Sequence, residues 1–91
     1  MLIRHKVADY GAWKPVFDAH ETTRQANGCQ GWRIFRGADD PDEVVIVFAW
    51  DDLDRARFFA DSDDLREAMT RAGVTDRPDI WFLVEDDGTP P

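Results

Sequence analysis

Val44-Val45-Ile46-Val47-Phe48-Ala49-Trp50 is a run of apolar residues, mostly β-branched or aromatic, set between Asp42-Glu43 and Asp51-Asp52. Its length and branching predict a strand rather than a stretch of buried helix. Alternation sends Val44, Ile46, Phe48 and Trp50 to one face and Val45, Val47 and Ala49 to the other. Both faces are apolar, so both need a cover. A chain of 91 residues has helix enough for one face. The other is most simply covered by a second copy of the chain.

Working outward from this strand, Gln30 to Arg36 reads as a strand, and Gly37-Ala38-Asp39-Asp40-Pro41-Asp42 as a polar turn. The two strands are therefore expected to pair as an antiparallel hairpin. Beyond Trp50, Asp52 can cap a helix carrying Leu53, Ala56, Phe59 and Ala60 at helical spacing. Ser62 is a second capping residue, followed by Leu65, Ala68, Met69 and Ala72, with Gly73 as a stop. The segment is either one kinked helix or two consecutive ones. Pro78 precedes a last strand, Ile80 to Val84, and residues 86–91 form a polar tail ending in Pro-Pro.

Before the hairpin, Leu2 to Val7 alternates as a strand with Ile3, His5 and Val7 on one face. Pro15 deprives a helix interior of a hydrogen bond, so a loose turn is expected over Tyr10 to Trp13 and a regular helix over Lys14 to Asn27. Asn27-Gly28 is a suitable stop. The order β-α-β-β-α-β is the split β-α-β pattern. The expected fold class is α+β and ferredoxin-like, a single domain over residues 1–85 in which a four-stranded antiparallel sheet carries its helices on one face. The bare face, left apolar, calls for a homodimer packed sheet on sheet.

Hydrophobic content of 43% with four Trp and six Phe supports a packed core. A net charge of -8 at pH 7 argues against nucleic acid and anionic membrane surfaces, which reward Lys and Arg. No apolar run reaches the ~20 residues of a membrane span, and Met1 to Lys6 is too short and charged for a leader. The single Cys29 has no thiol partner for a disulfide or zinc site. A cytoplasmic protein is the expectation.

The segments His5-Lys6-Val7-Ala8-Asp9-Tyr10, Ala12-Trp13-Lys14-Pro15-Val16-Phe17-Asp18, Gly37 to Val45 and Asp63-Asp64-Leu65-Arg66-Glu67-Ala68-Met69 carry a resemblance to a known family. The chain resembles the antibiotic-biosynthesis-monooxygenase-like proteins of the dimeric α/β-barrel superfamily, and within them a subgroup of small cyclase- or monooxygenase-like bacterial proteins. The resemblance spans residues 1 to about 85 and implies the fold more strongly than a reaction. In the oxygenases it points to, the active site is a cleft between sheet and helices within each subunit.

Trp13, Phe17, His20 and Arg24 fall at i, i+4, i+7 and i+11 and form one stripe on the first helix. His20 is suited to move a proton near pH 7, and Arg24 to clamp a carboxylate, phenolate or enolate. The plainer alternative is that the stripe ends at the domain edge, where both side chains reach water. His5 would meet the same cleft from the first strand, where haem-degrading relatives place a functional polar side chain, or else serve as a hydrogen-bonded core histidine. Trp50 resembles the Trp that opens a Trp-x8-His pattern in relatives whose His serves haem or substrate, but here that position holds Phe59. His20-Glu21-Thr22-Thr23-Arg24 lacks the second His of a zincin helix. The acidic runs at 39–43 and 61–64 lack a calcium loop's spacing and read as solvated turns and caps. No cofactor or metal is expected. No phosphate loop, dinucleotide fingerprint or nucleophile elbow is present.

The reading is a cofactor-independent enzyme, of monooxygenase or cyclase/isomerase type, acting on a small aromatic or polyketide-like molecule. His20, Arg24 and His5 are the catalytic candidates, with Trp13, Phe17 and Trp50 binding substrate. The alternatives are a non-catalytic binding or accessory protein using the same cleft and a purely structural dimer module.

Overall fold

The computed structural model describes residues 1–91. In chain order the elements are β1 (Leu2–Lys6), α1 (Tyr10–Ala19), α2 (Glu21–Ala26), β2 (Cys29–Arg36), β3 (Glu43–Trp50), α3 (Leu53–Ala60), α4 (Asp63–Ala72) and β4 (Asp79–Trp81). The strands form one sheet in the order β2-β3-β1-β4, with every neighbouring pair antiparallel. This is the ferredoxin-like α+β fold, and β3, the apolar run, lies inside it.

The two faces of β3 divide as alternation requires. Val44, Ile46 and Phe48 are buried with Ile3, Trp13, Phe17 and Phe59 in the core. Opposite, Val45 and Ala49 are not fully buried and Val47 is 40% exposed. The register groups Arg33, Val47, Leu2 and Trp81 in one row of the bare face, and Phe35, Val45, Arg4 and Asp79 in the next. The centre of that face is apolar, while one end holds Arg4 in ion pairs with Glu43, Asp76 and Asp79.

The boundaries depart from expectation at two places. The first helix begins at Tyr10, so no loose turn covers Tyr10 to Trp13, and it breaks at His20 instead of running to Asn27. Asp9 caps it, its carboxylate accepting from Gly11 N while its carbonyl accepts from Ala12 and Trp13. Pro15 costs the helix the bond to the Gly11 carbonyl, but Gly11 is exposed, so water can take that place. The last strand stops at Trp81, not Val84. Leu2 opposite Trp81 ends that ladder, because Met1 exchanges its hydrogen bonds with Phe48 of β3.

Between β3 and β4 there are two helices, not one kinked helix. Ser62 starts the second, accepting from Leu65 N at 3.2 Å. Gly73 ends it in the left-handed region at φ 82. Gly28, at φ 110, turns the chain from α2 into β2, and an added Cβ would lie 2.3 Å from Asp51 Oδ1. No helix is long and apolar enough to cross a membrane.

Candidate functional site

Between the helix layer and the sheet lies a cavity bounded by Ile3 and His5 of β1, Ile46 and Phe48 of β3, and Phe59 of α3. Trp13, Val16, Phe17, His20 and Arg24 close it from the first helical stretch, and Leu65, Ala68, Met69 and Ala72 from α4. The cavity is small, with a volume of about 40 Å³. The space is therefore a narrow slot with mostly apolar walls. Val16 and Met69 are its half-buried members and mark where it nears solvent, between α1 and α4.

Trp13 and Phe17 stack with centroids 4.9 Å apart, and Phe17 meets Trp32 edge-on at 5.0 Å. Together they make a rigid aromatic wall. Arg24, about two helical turns further on, lies folded over that wall, its Cζ 3.8 Å from the centre of the Phe17 ring. Its guanidinium is almost wholly buried, at 2% exposure. One Nη1 donates to the Phe17 carbonyl at 2.8 Å. Nε and Nη2 are buried without a partner, and no carboxylate forms an ion pair with Arg24. Burial pushes its pKa below the usual arginine range, partly offset by the nearby Cys29, Glu21 and Asp18. A buried cation with two unused donors is costly; an anion in the slot would remove that cost.

His20 occupies the break between α1 and α2. The ring is buried, and its Nε2 lies 2.9 Å from Asp64 Oδ2 at the start of α4. The ring also packs on Phe59 at 5.8 Å. His5 reaches the cavity from β1, edge-on to Trp13 at 5.8 Å. Its Nδ1 is buried and unpartnered. Burial holds its pKa below the ordinary 6.5, against a weaker pull from Asp76, so at neutral pH it is an uncharged imidazole.

The structure thus brings five of the six candidate residues, His5, Trp13, Phe17, His20 and Arg24, to one cavity. Trp50 is not among its walls. It packs on Phe59 with the rings tilted and their centroids 5.2 Å apart, and it is Phe59 that lines the slot. At the position where haem-handling relatives hold a His, the buried phenyl of Phe59 offers no ligand atom. No group of three or more His, Cys, Asp or Glu side chains is placed to hold a metal ion. Sequence reasoning missed the opposite wall and Asp64. The wall had a signal, since Leu65, Ala68, Met69 and Ala72 recur at helical spacing. Asp64, one acid among several in the run 61–64, had none.

None of the functionally curated proteins matches the chain significantly in sequence. Among solved structures, Rv0793 from Mycobacterium tuberculosis is 17% identical, with a TM-score of 0.69 over 96% of this chain and 93% of that one. SnoaB from Streptomyces nogalater, described as a cofactor-independent oxygenase, is 17% identical, with a TM-score of 0.69 over 93% and 91% of the two chains. A candidate antibiotic biosynthesis monooxygenase from Caulobacter crescentus gives 0.72 at 17% identity, over 94% and 87%. At such identities these likenesses concern the fold. The family model for antibiotic biosynthesis monooxygenase matches residues 14–71, more than half of the chain and nearly all of the cavity's helical walls, and the chain belongs to that family.

Proposed function

We propose that this protein is a cofactor-independent monooxygenase acting on a small electron-rich aromatic molecule that binds in the slot as an anion. The observation that carries the reading is Arg24: a guanidinium at 2% exposure, with Nε and Nη2 unpartnered, beside the aromatic wall and a buried histidine. An anionic ring system would satisfy all of these at once. The family membership and the oxygenase description of SnoaB support the same class.

The chemistry balances without an added reductant. His20 takes a proton from an activated CH2 of the substrate, and the electron pair left behind spreads over the ring system as an enolate. Arg24 holds the enolate oxygen, so charge that develops in the transition state meets a fixed donor. The carbanion then gives its electrons to O2 as a C–O bond forms. The resulting peroxide takes up the proton and loses water, leaving a ketone: CH2 and O2 become C=O and H2O. Every electron that O2 gains comes from the substrate carbon. Neutral His5, with a free buried nitrogen, can accept from or donate to a second oxygen of the ligand. Because the slot is narrower than the ~300 Å³ of ordinary ligand pockets, admission requires Met69, Val16 or both to turn aside; methionine does so readily. The cyclase alternative uses the same base and clamp but no O2.

The assembly belonging to this reading is a homodimer joined through the bare sheet face, where Leu2, Phe35, Val47 and Trp81 would be covered. The test of function is oxygen uptake with 1,8-dihydroxyanthrone as probe, followed as the anthraquinone forms. Uptake above the spontaneous rate that falls at least tenfold in both Arg24→Met and His20→Ala supports the reading. Equal rates in all three proteins, with the fold intact, contradict it.

A further inference from the structure

Asp64 is separated from His20 by 44 positions, yet its Oδ2 lies 2.9 Å from His20 Nε2. The neighbouring acid of the same helix start, Asp63, bonds Arg66 at 2.7 Å, whereas Asp64 has no other charged partner. The pair has a dry end and a wet end: His20 is 8% exposed and lines the slot, while the Asp64 side chain is 54% exposed. His20 also borders a shallow surface depression shared with Arg71, and it shares the slot with Arg24 and His5.

A carboxylate can only accept, so a neutral His20 in this contact must carry its proton on Nε2. That leaves the lone pair on Nδ1, which has no hydrogen-bond partner in the protein. Fixing the tautomer of an imidazole and steadying the imidazolium that follows proton uptake is what a paired carboxylate does for a histidine base. We propose that Asp64 is the positioning residue of His20, holding its ring with Nδ1 as the free base and facing the positive charge formed when His20 takes the substrate proton. This rests on the base role given to His20 above. A tether between the α1–α2 junction and α4 would use the same contact and the same tautomer, but it would not link Asp64 to kcat.

The experiment compares wild type, Asp64→Ala, Asp64→Glu and His20→Ala. In the free protein, two-bond ring 15N correlations near pH 8 are expected to show His20 protonated on Nε2, with a proton slow to exchange. Asp64→Ala should lose that protection and move both ring nitrogen shifts; Asp64→Glu should restore them in part. With 1,8-dihydroxyanthrone, Asp64→Ala should lower kcat about tenfold to a hundredfold with KM little changed, in line with the loss of part of a general base. Ring nitrogen shifts and exchange that are the same in Asp64→Ala as in wild type overturn the proposal, as does a wild-type ring protonated on Nδ1. If His20→Ala lowers kcat while Asp64→Ala does not, the base reading stands and the positioning role is lost. If His20→Ala has no effect, the base reading itself fails.

Discussion

Replacing Arg24 by methionine sets stability against binding. The methionine keeps most of the aliphatic length over Phe17 and removes the guanidinium. What is lost is one charge-assisted bond to the Phe17 carbonyl, worth about 1.5–3 kcal/mol, and a cation–π contact at 3.8 Å, worth about 0.5–2 kcal/mol. What is relieved is a cation held out of water, a penalty of several kcal/mol per ion, with two unpartnered nitrogens costing about 1–3 kcal/mol each. The second set is larger. Arg24→Met is therefore expected to stabilise the unliganded protein by about 1–3 kcal/mol, which raises Tm by roughly 5–20 °C for a domain of this size. Calorimetry and urea unfolding measure this. Isothermal titration with 2-naphthoate is expected to show about tenfold to a hundredfold weaker binding in the variant, the loss of one charge-assisted bond of about 1.5–3 kcal/mol. A fall in stability of 2 kcal/mol or more would mean that Arg24 is a strut of the fold, and the argument from an unpaired buried charge would be wrong.

Three further outcomes follow from the same structure. Val47 is 40% exposed in the single chain, so Val47→Asp should dissociate the proposed homodimer while leaving the circular dichroism unchanged; sedimentation showing the same mass as wild type at micromolar concentration refutes the sheet-face interface. His5 has its pKa lowered by burial. Its contribution to stability is full above the ordinary 6.5 and is lost as pH falls from there through the depressed folded value, since the unfolded chain takes the proton first; a His5→Gln variant should show a flatter decline in urea midpoint as pH falls below 6.5. Gly28→Ala meets both a left-handed backbone at φ 110 and a carboxylate oxygen 2.3 Å from the new Cβ, so it should destabilise by about 1–3 kcal/mol, read as a fall in Tm.

Much of this was legible in the sequence because a few residues overdetermine it. A doubly apolar strand at Val44 to Trp50 needs cover on both faces, and β-α-β-β-α-β punctuation supplies helices for one. The stripe Trp13, Phe17, His20 and Arg24 survives the break at His20, because the break is that single residue and its backbone, at φ -87 and ψ -1, stays in the right-handed helical region. Element ends were less legible. Pro15 argued against a helix that the exposed Gly11 carbonyl in fact permits, and Ile80 to Val84 read as a full strand although β1 offers a partner only as far as Trp81. Trp50 lay on the expected face, yet it is Phe59 that lines the slot, a detail of packing that alternation does not encode. Asp64 was hidden for a different reason: its partner comes from tertiary contact across 44 positions, and its neighbours Asp61 and Asp63 make it look like any acidic helix start.

The most direct measurement is a crystal structure of the protein with 1,8-dihydroxyanthraquinone, the product of the proposed reaction. The ring system is expected in the slot, against Trp13 and beside the Arg24 guanidinium that covers Phe17. One oxygen should lie within about 3 Å of Arg24 Nε or Nη2, with Met69 or Val16 displaced to admit it. A ligand seated only on the bare sheet face beside Val47 and Leu83, with the slot unchanged and Arg24 still unpartnered, would contradict the account.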